Sequence, residues 1–368
     1  MRILLVRPTA SGGLAAHVDQ ELALLRAAGR EVAEAPVTIR ERPDPRTDAA
    51  TVETLRRLLH GETVPVAVHA HGLRAGALAA LGTPRRGGHL LVVTLHNRTI
   101  GSRATRAVGA ALLRLLARRA DVVLAVSPDL AEDARRAGAR DVRHAVIPAP
   151  ERSGAIPSAD GAGPIESADG GRAIPPADGQ PVPSAASGPS PLEVLVIARL
   201  APQKGLEDLL DAAALLRTPG EGERPVRIRV AGDGPLQEAL AARIAAEHLP
   251  VELLGRREDV PALLAASDLV VSAARWEGQP VSLQEALRAG RAIVATDAGG
   301  TRWVTGDAAR LVPVGDPAAL AAAIADMREE TTRRRAEEAS RSRARDLPGA
   351  EDLLAQLSQV LAPATVRW

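Results

Sequence analysis

The sequence predicts an α/β protein of two doubly wound domains facing a cleft, and three observations predict it. Each half alternates short Val/Leu/Ile runs with helical patterns, as parallel strands joined by crossover helices do. A stretch at 151–191, too poor in apolar residues to build a core, separates the halves. The length, 368 residues, suits about two domains.

The chain opens on a strand, Arg2 to Val6, followed by a polar turn ending in Gly12-Gly13 and a helical pattern from Leu14 to Ala28. Strand, Gly-rich turn and helix start let backbone amides approach a phosphate, although a glycine pair also makes an ordinary tight turn. Further strands run from Val64 to His69 and from His89 to Leu95, leaving His71 in a turn and His96 just past a strand end. Histidines at strand ends raise a metal reading, but no carboxylate stands at the right local spacing to complete a site. The run from Ile100 to Arg119 sets Arg103, Arg106, Arg114, Arg118 and Arg119 around Val108, Leu112, Leu113, Leu115 and Leu116. Such a basic amphipathic helix either docks on an anionic membrane surface or forms a solvated face, and both readings stand. A strand from Asp121 to Val126 and the segment Arg143 to Pro148 close the first half. Residues 151–191 then carry a degenerate repeat, Ala155 to Gly161, Pro164 to Gly170 and Ala173 to Gly179. This composition reads as a disordered tether.

The second half restarts with a strand from Leu192 that ends in Arg199, with Lys204 next to the helix Leu206 to Leu216. Two cations around a helix start suit a diphosphate, since the helix dipole and free amides add to their field. Strands follow at Val226 to Ala231, Val251 to Gly255 and Asp268 to Ala273. The last leads through Trp276-Glu277-Gly278-Gln279-Pro280 into a helix from Val281 to Ala289. This puts Glu277 at a helix mouth and Glu285 two turns in, where carboxylates can accept hydrogen bonds from a ligand with several hydroxyls. Helices from Asp316 to Met327 and from Asp352 to Leu361 complete the chain.

Glu277 and Glu285, seven residues between them, stand before Ala-x-x-x-Gly-x-x-Ile-Val-Ala-Thr-Asp-x-Gly-Gly at 286–300. With Arg199-x-x-x-x-Lys204-Gly205 and Gly12-Gly13-x-x-x-His17-Val18, they resemble the motifs of family-four retaining glycosyltransferases, glycosyltransferase group 1. The resemblance implies the GT-B fold, two Rossmann-like domains facing a cleft. It would divide the chain into an acceptor domain at 1–150, the linker at 151–191, a donor domain at 192–345 and a terminal helix at 346–368 that often crosses back. It implies retaining, metal-independent transfer of a sugar from a nucleotide diphosphate sugar to an acceptor hydroxyl, with no cofactor. By that resemblance Gly12, Gly13, Arg199 and Lys204 hold the diphosphate, and Glu277 holds the donor sugar beside Gly278, Val281 and Ser282. Glu285 takes the ribose, while His96 and Glu277 serve the reaction centre. The turn at Arg256 to Pro261 would lie against the nucleobase. Two positions depart from the family pattern: Ala149-Pro150 follows Ile147-Pro148 where Asn-Gly is usual, and Trp303 replaces an acid. These departures keep open a non-catalytic nucleotide-sugar or glycan-binding protein, and a nucleotide-sugar epimerase, on the same scaffold.

Composition narrows the rest. A net charge of +1 advertises no nucleic-acid partner. The absence of cysteine excludes disulfides and thiolate chemistry. No run of eighteen apolar residues occurs, so a cytoplasmic protein is expected, with peripheral membrane contact on the basic-helix reading. There is no Phe or Tyr and only three Trp, which favours a small or lipid-linked acceptor over a long glycan stacked on aromatic rings. Lys204 is the single lysine among 46 basic residues, marking a position where a compact ammonium matters.

Overall fold

The computed structural model describes residues 1–9, 13–40, 43–99, 101–149, 189–218, 220 and 222–362. Gly12, Ile100 and the repeat expected to act as a tether lie outside these.

The first half forms a six-stranded parallel sheet: β1 (Arg2–Val6), β2 (Val32–Glu34), β3 (Val66–His71), β4 (Leu90–Leu95), β5 (Val122–Ala125) and β6 (Val142–His144). The helices between them are α1 (Gly13–Ala27), α2 (Pro45–His60), α3 (Leu73–Gly82), α4 (Arg103–Ala117) and α5 (Pro128–Arg136). The spatial order is β2-β1-β3-β4-β5-β6. Strands covered on both faces need continuous apolar runs. β5 and most of β4 meet that need, and β3 is buried throughout although it carries His69 and His71.

The second half repeats the plan with β7 (Leu192–Ile197), β8 (Val226–Ala231), β9 (Val251–Gly255), β10 (Leu269–Ser272), β11 (Ala292–Thr296) and β12 (Arg310–Val312). Its helices are α6 (Leu206–Leu216), α7 (Gln237–Glu247), α8 (Val260–Ala265), α9 (Val281–Arg288), α10 (Thr301–Thr305), α11 (Pro317–Asp326), α12 (Glu330–Arg345) and α13 (Ala350–Val360). The order is β12-β11-β10-β7-β8-β9. Strand order therefore reverses between β1 and β3 in one sheet and between β7 and β10 in the other. Ligands of open parallel sheets bind at such switch points, at the carboxyl ends of the strands.

Two sequence expectations shift. β3 runs two residues further than expected, so His71 is a buried strand residue and not part of a turn. β7 stops at Ile197, leaving Arg199 exposed in the loop beyond it. α12 escaped the periodicity because Ser340 is its one buried residue. The Glu329 carboxylate caps it by accepting from the Thr331 and Thr332 amides, and Arg334 pairs with Glu330 one turn on.

The last helix packs with the first half. Leu353, Leu357, Val360 and Leu361 belong to the same buried cluster as β1, β3 and β4. The segment after β6 is held by glutamine side chains from both directions. Gln356 of α13 accepts from the Val146 amide (2.9 Å) and donates to His144 O (2.8 Å). Gln284 of α9 accepts from the Ala149 amide (2.9 Å) and donates to Ile147 O (2.8 Å). Gln284 is 1% exposed, so truncating it strands two backbone groups away from water. Gln284→Ala is expected to lower the unfolding free energy by about 2–4 kcal/mol in chemical denaturation. Gln237→Ala, at an exposed position of α7, should stay within about 0.5 kcal/mol of the parent.

Candidate active site

In the second half, the loops after β7, β10 and β11 converge. The loop after β7 makes a 3-10 turn, Pro202–Lys204, and passes through Gly205 at φ +61° into α6. A Cβ on Gly205 would collide with the Ala273 carbonyl oxygen, so the position needs both the positive φ and the missing side chain. Gln203 ties this loop to the next by donating to Trp276 O (3.0 Å) and accepting at its own carbonyl from the Arg275 amide (2.9 Å). Lys204 then reaches Glu277, Nζ to Oε1 2.6 Å, with side-chain exposures of 26% and 8%. This short, half-buried pair is charge-assisted, and the contact offsets part of the cost of burying a carboxylate. From the third loop the Gly300 amide donates to Glu277 O (2.9 Å). Side chains on Gly299 or Gly300 would strike the Glu277 and Gly278 carbonyl oxygens.

α9 starts after Pro280, which occupies the N-cap position without a side-chain hydrogen bond. Val281 and Ser282, both half-buried, form its first turn, where amides lack intrahelical acceptors. Glu285 follows one turn later, also half-buried. The structure thus brings Lys204, Glu277, Gly278, Val281 and Ser282 together at the β7/β10 switch point, with Arg199 exposed on the same loop as Lys204.

Facing this is the switch point of the first sheet. Gly13 begins α1, exposed, with nothing within 4 Å of the place a Cβ would take. One turn on, His17 and Glu21 point inward, toward His69 and His71 of β3 and His96 after β4. Glu21 Oε1 accepts from His69 Nδ1 at 2.6 Å, and His69 Nε2 lies 2.7 Å from Thr94 Oγ1. A carboxylate can only accept, so His69 Nδ1 is the donor in this contact. His71 Nδ1 lies 3.2 Å from His96 Nε2.

Burial sets the charges here. It pushes the His17 imidazole down to about 4, against the pull of Glu21 and helped by His71 and His69. It lowers His71 too, and it holds His96 well below the usual imidazole range together with His71, His17 and His69. Burial raises the Glu21 carboxyl, but His69 and His71 outweigh it and keep the group well below the ordinary carboxylate range. No carboxylate stands near the strand-end histidines at local spacing, and the fold supplies one from a distance. It is Glu21, 48 residues away from His69. Local spacing could not show it. The legible signals were His17 and Glu21 at i, i+4 on one helix face, and His69 and His71 at i, i+2 on one strand face.

The two halves meet beside these groups. Trp276 Nε1 donates to Asp129 Oδ2 at 2.8 Å. A Cβ on Gly278 would sit 2.6 Å from Val126 Cγ2 and 3.5 Å from His96 O, so the absent side chain lets the Glu277 loop close on the end of β5, beside that of β4. Gln279 donates to Ala145 O and accepts from the Ile147 amide at 3.3 Å. Trp303 packs its ring against His144, centroids 3.9 Å apart. Both departures from the family pattern thus sit in this contact, Ala149 through Gln284 and Trp303 through His144.

Comparison with known proteins agrees with this architecture. Residues 191–330 match the family described as Glycosyl transferases group 1, and residues 3–150 match the Glycosyl transferase 4-like domain. An alpha-D-kanosaminyltransferase of Streptomyces kanamyceticus is 30% identical over 118 residues, covering 31% of this chain and 30% of its own length. The colanic acid biosynthesis glycosyltransferase WcaL of Salmonella typhimurium, a putative assignment in its own description, is 32% identical over 148 residues, 37% of this chain and 36% of its own. The matched segments span about a third of these curated relatives. Among solved structures, Anabaena HepE in complex with UDP shares the fold at a TM-score of 0.69 and 20% identity, over 98% of this chain and 99% of its own.

The glycines make a paired test. Gly300→Ala drives a Cβ into backbone and is expected to cost about 2–4 kcal/mol of stability in denaturant titration. Gly13→Ala meets open space and should change stability by no more than about 0.5 kcal/mol.

Proposed function

Because the chain belongs to the group 1 glycosyl transferases, we propose that it transfers a sugar from a nucleotide diphosphate sugar to an acceptor hydroxyl, with the anomeric configuration retained. The observation that carries this reading is the Lys204–Glu277 pair at the β7/β10 switch point. A cation suited to a diphosphate and a carboxylate suited to sugar hydroxyls, on one contact, support it. HepE, similar in fold, was solved with UDP and with UDP-glucose, which makes uridine diphosphate sugars the first donors to test.

In this reading Lys204 and Arg199 neutralise the leaving diphosphate, and the first-turn amides of α9 add their dipoles. Side chains, and not a metal, take up that developing charge. Glu277 accepts hydrogen bonds from the sugar, Glu285 from the ribose, and Gly13 gives the phosphates close access to α1. As the bond from the anomeric carbon to the diphosphate oxygen breaks, the acceptor oxygen bonds to the same face of that carbon. Its proton passes to the departing phosphate, and His96 borders the reacting centre as a neutral imidazole.

On the acceptor side a cavity of about 380 Å³ opens between the end of β4, α4 and α5. Leu73, Leu113 and Leu130 line it along with Arg106, Arg114 and Arg136. Apolar walls edged by guanidinium groups suit a small or lipid-linked acceptor carrying an anionic group. No helix among the described residues is long and apolar enough to cross a membrane, so a lipid acceptor would be met at a surface. The non-catalytic alternative rested on the departures at Ala149-Pro150 and Trp303. Ala149 and Trp303 sit in contacts between the halves, which weakens it.

A panel of nucleotide diphosphate sugars tests the reading by thermal shift and by release of nucleotide in the presence of acceptors. One donor should stabilise the parent by about 2.7 kcal/mol at a hundredfold its dissociation constant. Lys204→Ala should lower the turnover rate by about a hundredfold or more. Lys204→Arg should recover only part, since the larger planar cation cannot occupy the ammonium's place against Glu277. Donor binding and turnover that survive Lys204→Ala and Glu285→Ala would refute the site. Donor hydrolysis or epimerisation without acceptor would point to the epimerase.

A further inference from the structure

The cluster under α1 holds more nitrogen ligands than its hydrogen bonds use. His69 is satisfied at both ring nitrogens, by Glu21 and Thr94. His17 Nδ1, His71 Nε2 and Glu21 Oε2, in contrast, are buried polar atoms without a hydrogen-bond partner among the described residues. Glu21 Oε2 and His71 Nε2 at least face each other at 3.4 Å, which leaves His17 Nδ1 as the costly orphan that a bound ion would satisfy.

Their geometry suits an ion. His17, His71 and His96 each offer one ring nitrogen, all within 4.8 Å of one another. A tetrahedral ion with bonds of about 2.0–2.1 Å sets its ligand nitrogens about 3.3–3.4 Å apart. His71 Nδ1 and His96 Nε2 already stand at 3.2 Å. Small side-chain rotations bring the His17 ring, whose centroid is 5.5 Å from that of His96, to the third corner. On the far side of His71, Glu21 Oε2 lies 3.4 Å from Nε2. A carboxylate behind an imidazole is the usual support for a metal-bound histidine, fixing its tautomer and its orientation.

We propose that His17, His71 and His96 form a binding site for a divalent transition-metal ion of the zinc class, with Glu21 supporting His71 from behind. Three imidazoles without a thiolate favour zinc, cobalt, nickel or copper over magnesium and calcium. The fourth position opens on the side of His96, the half-buried member of the trio. The ion belongs to the first sheet's switch point, whereas Arg199 and Lys204 belong to the second, so it does not replace them at the diphosphate.

The test is a metal titration of the full chain after chelator treatment. Cobalt(II) is added first, because its tetrahedral complexes absorb in the visible, and zinc is then added in competition. One ion per chain is expected, with a tetrahedral band that zinc abolishes. His17→Gln and His71→Gln should each weaken binding at least about tenfold, since direct ligands matter more than the supporting groups whose loss costs that much. His60→Gln, at the exposed end of α2, should bind like the parent. His17→Gln removes no hydrogen bond of its Nδ1 and decides the matter even if His71→Gln fails to fold, with circular dichroism as the check. Absence of stoichiometric cobalt binding, or binding that His17→Gln leaves unchanged, overturns the proposal.

Discussion

The cleft depends on how the peptide groups of residues 144–149 are satisfied. This segment leaves the sheet at the end of β6, and Ala145 and Ile147 to Ala149 are buried, where unpaired backbone groups are costly. Strand β5 serves only its start, where the Ala145 amide donates to Ala125 O (2.8 Å), and side chains do the rest. Gln356 serves Val146 N and His144 O, Gln279 serves Ile147 N and Ala145 O, and Gln284 serves Ala149 N and Ile147 O. Arg288 closes the series at Ala149 O (3.1 Å). Three amide side chains, each donor and acceptor at once, thereby join the first sheet, the Glu277 loop, α9 and α13. The facing of Glu277 and His96 follows from that pairing.

Much of the fold was legible because parallel strands buried on both faces leave an unmistakable record. Leu192 to Ile197 and Ala292 to Thr296 are near-continuous apolar runs, and their order in the chain implies the layers. Gly205 and Lys204 could also be read, as a turn and a cation beside a helix start. What could not be read was long-range. Glu21 meets His69 only because α1 folds back over β3. Gln284 looks like any polar helix residue until Ile147 and Ala149 lie beneath it. α12 was hidden for another reason: it packs on α9 and β11 with little apolar surface, and local Arg–Glu pairing and a cap sustain it.

Ala149 and Trp303 show how a departure from a family pattern can be structural. An asparagine-glycine pair and an acid would each offer polar groups to a ligand. Here a small residue lets Gln284 reach the Ala149 amide, and an indole covers the His144 ring. The motif residues that carry charge remain in place around them. Site chemistry and domain contact have thus been specified by different positions of the same loops.

The indoles have a further consequence. Trp276 and Trp303 both sit where the halves touch, one bonded to Asp129 and the other packed against His144. The chain has no tyrosine, and its only other indole is Trp368. Ultraviolet emission therefore arises largely from the seam itself, against almost no aromatic background. Any hinge motion that parts the halves exposes one ring to water and removes the imidazole neighbour of the other. The molecule carries an intrinsic optical gauge of its own opening, readable without a label.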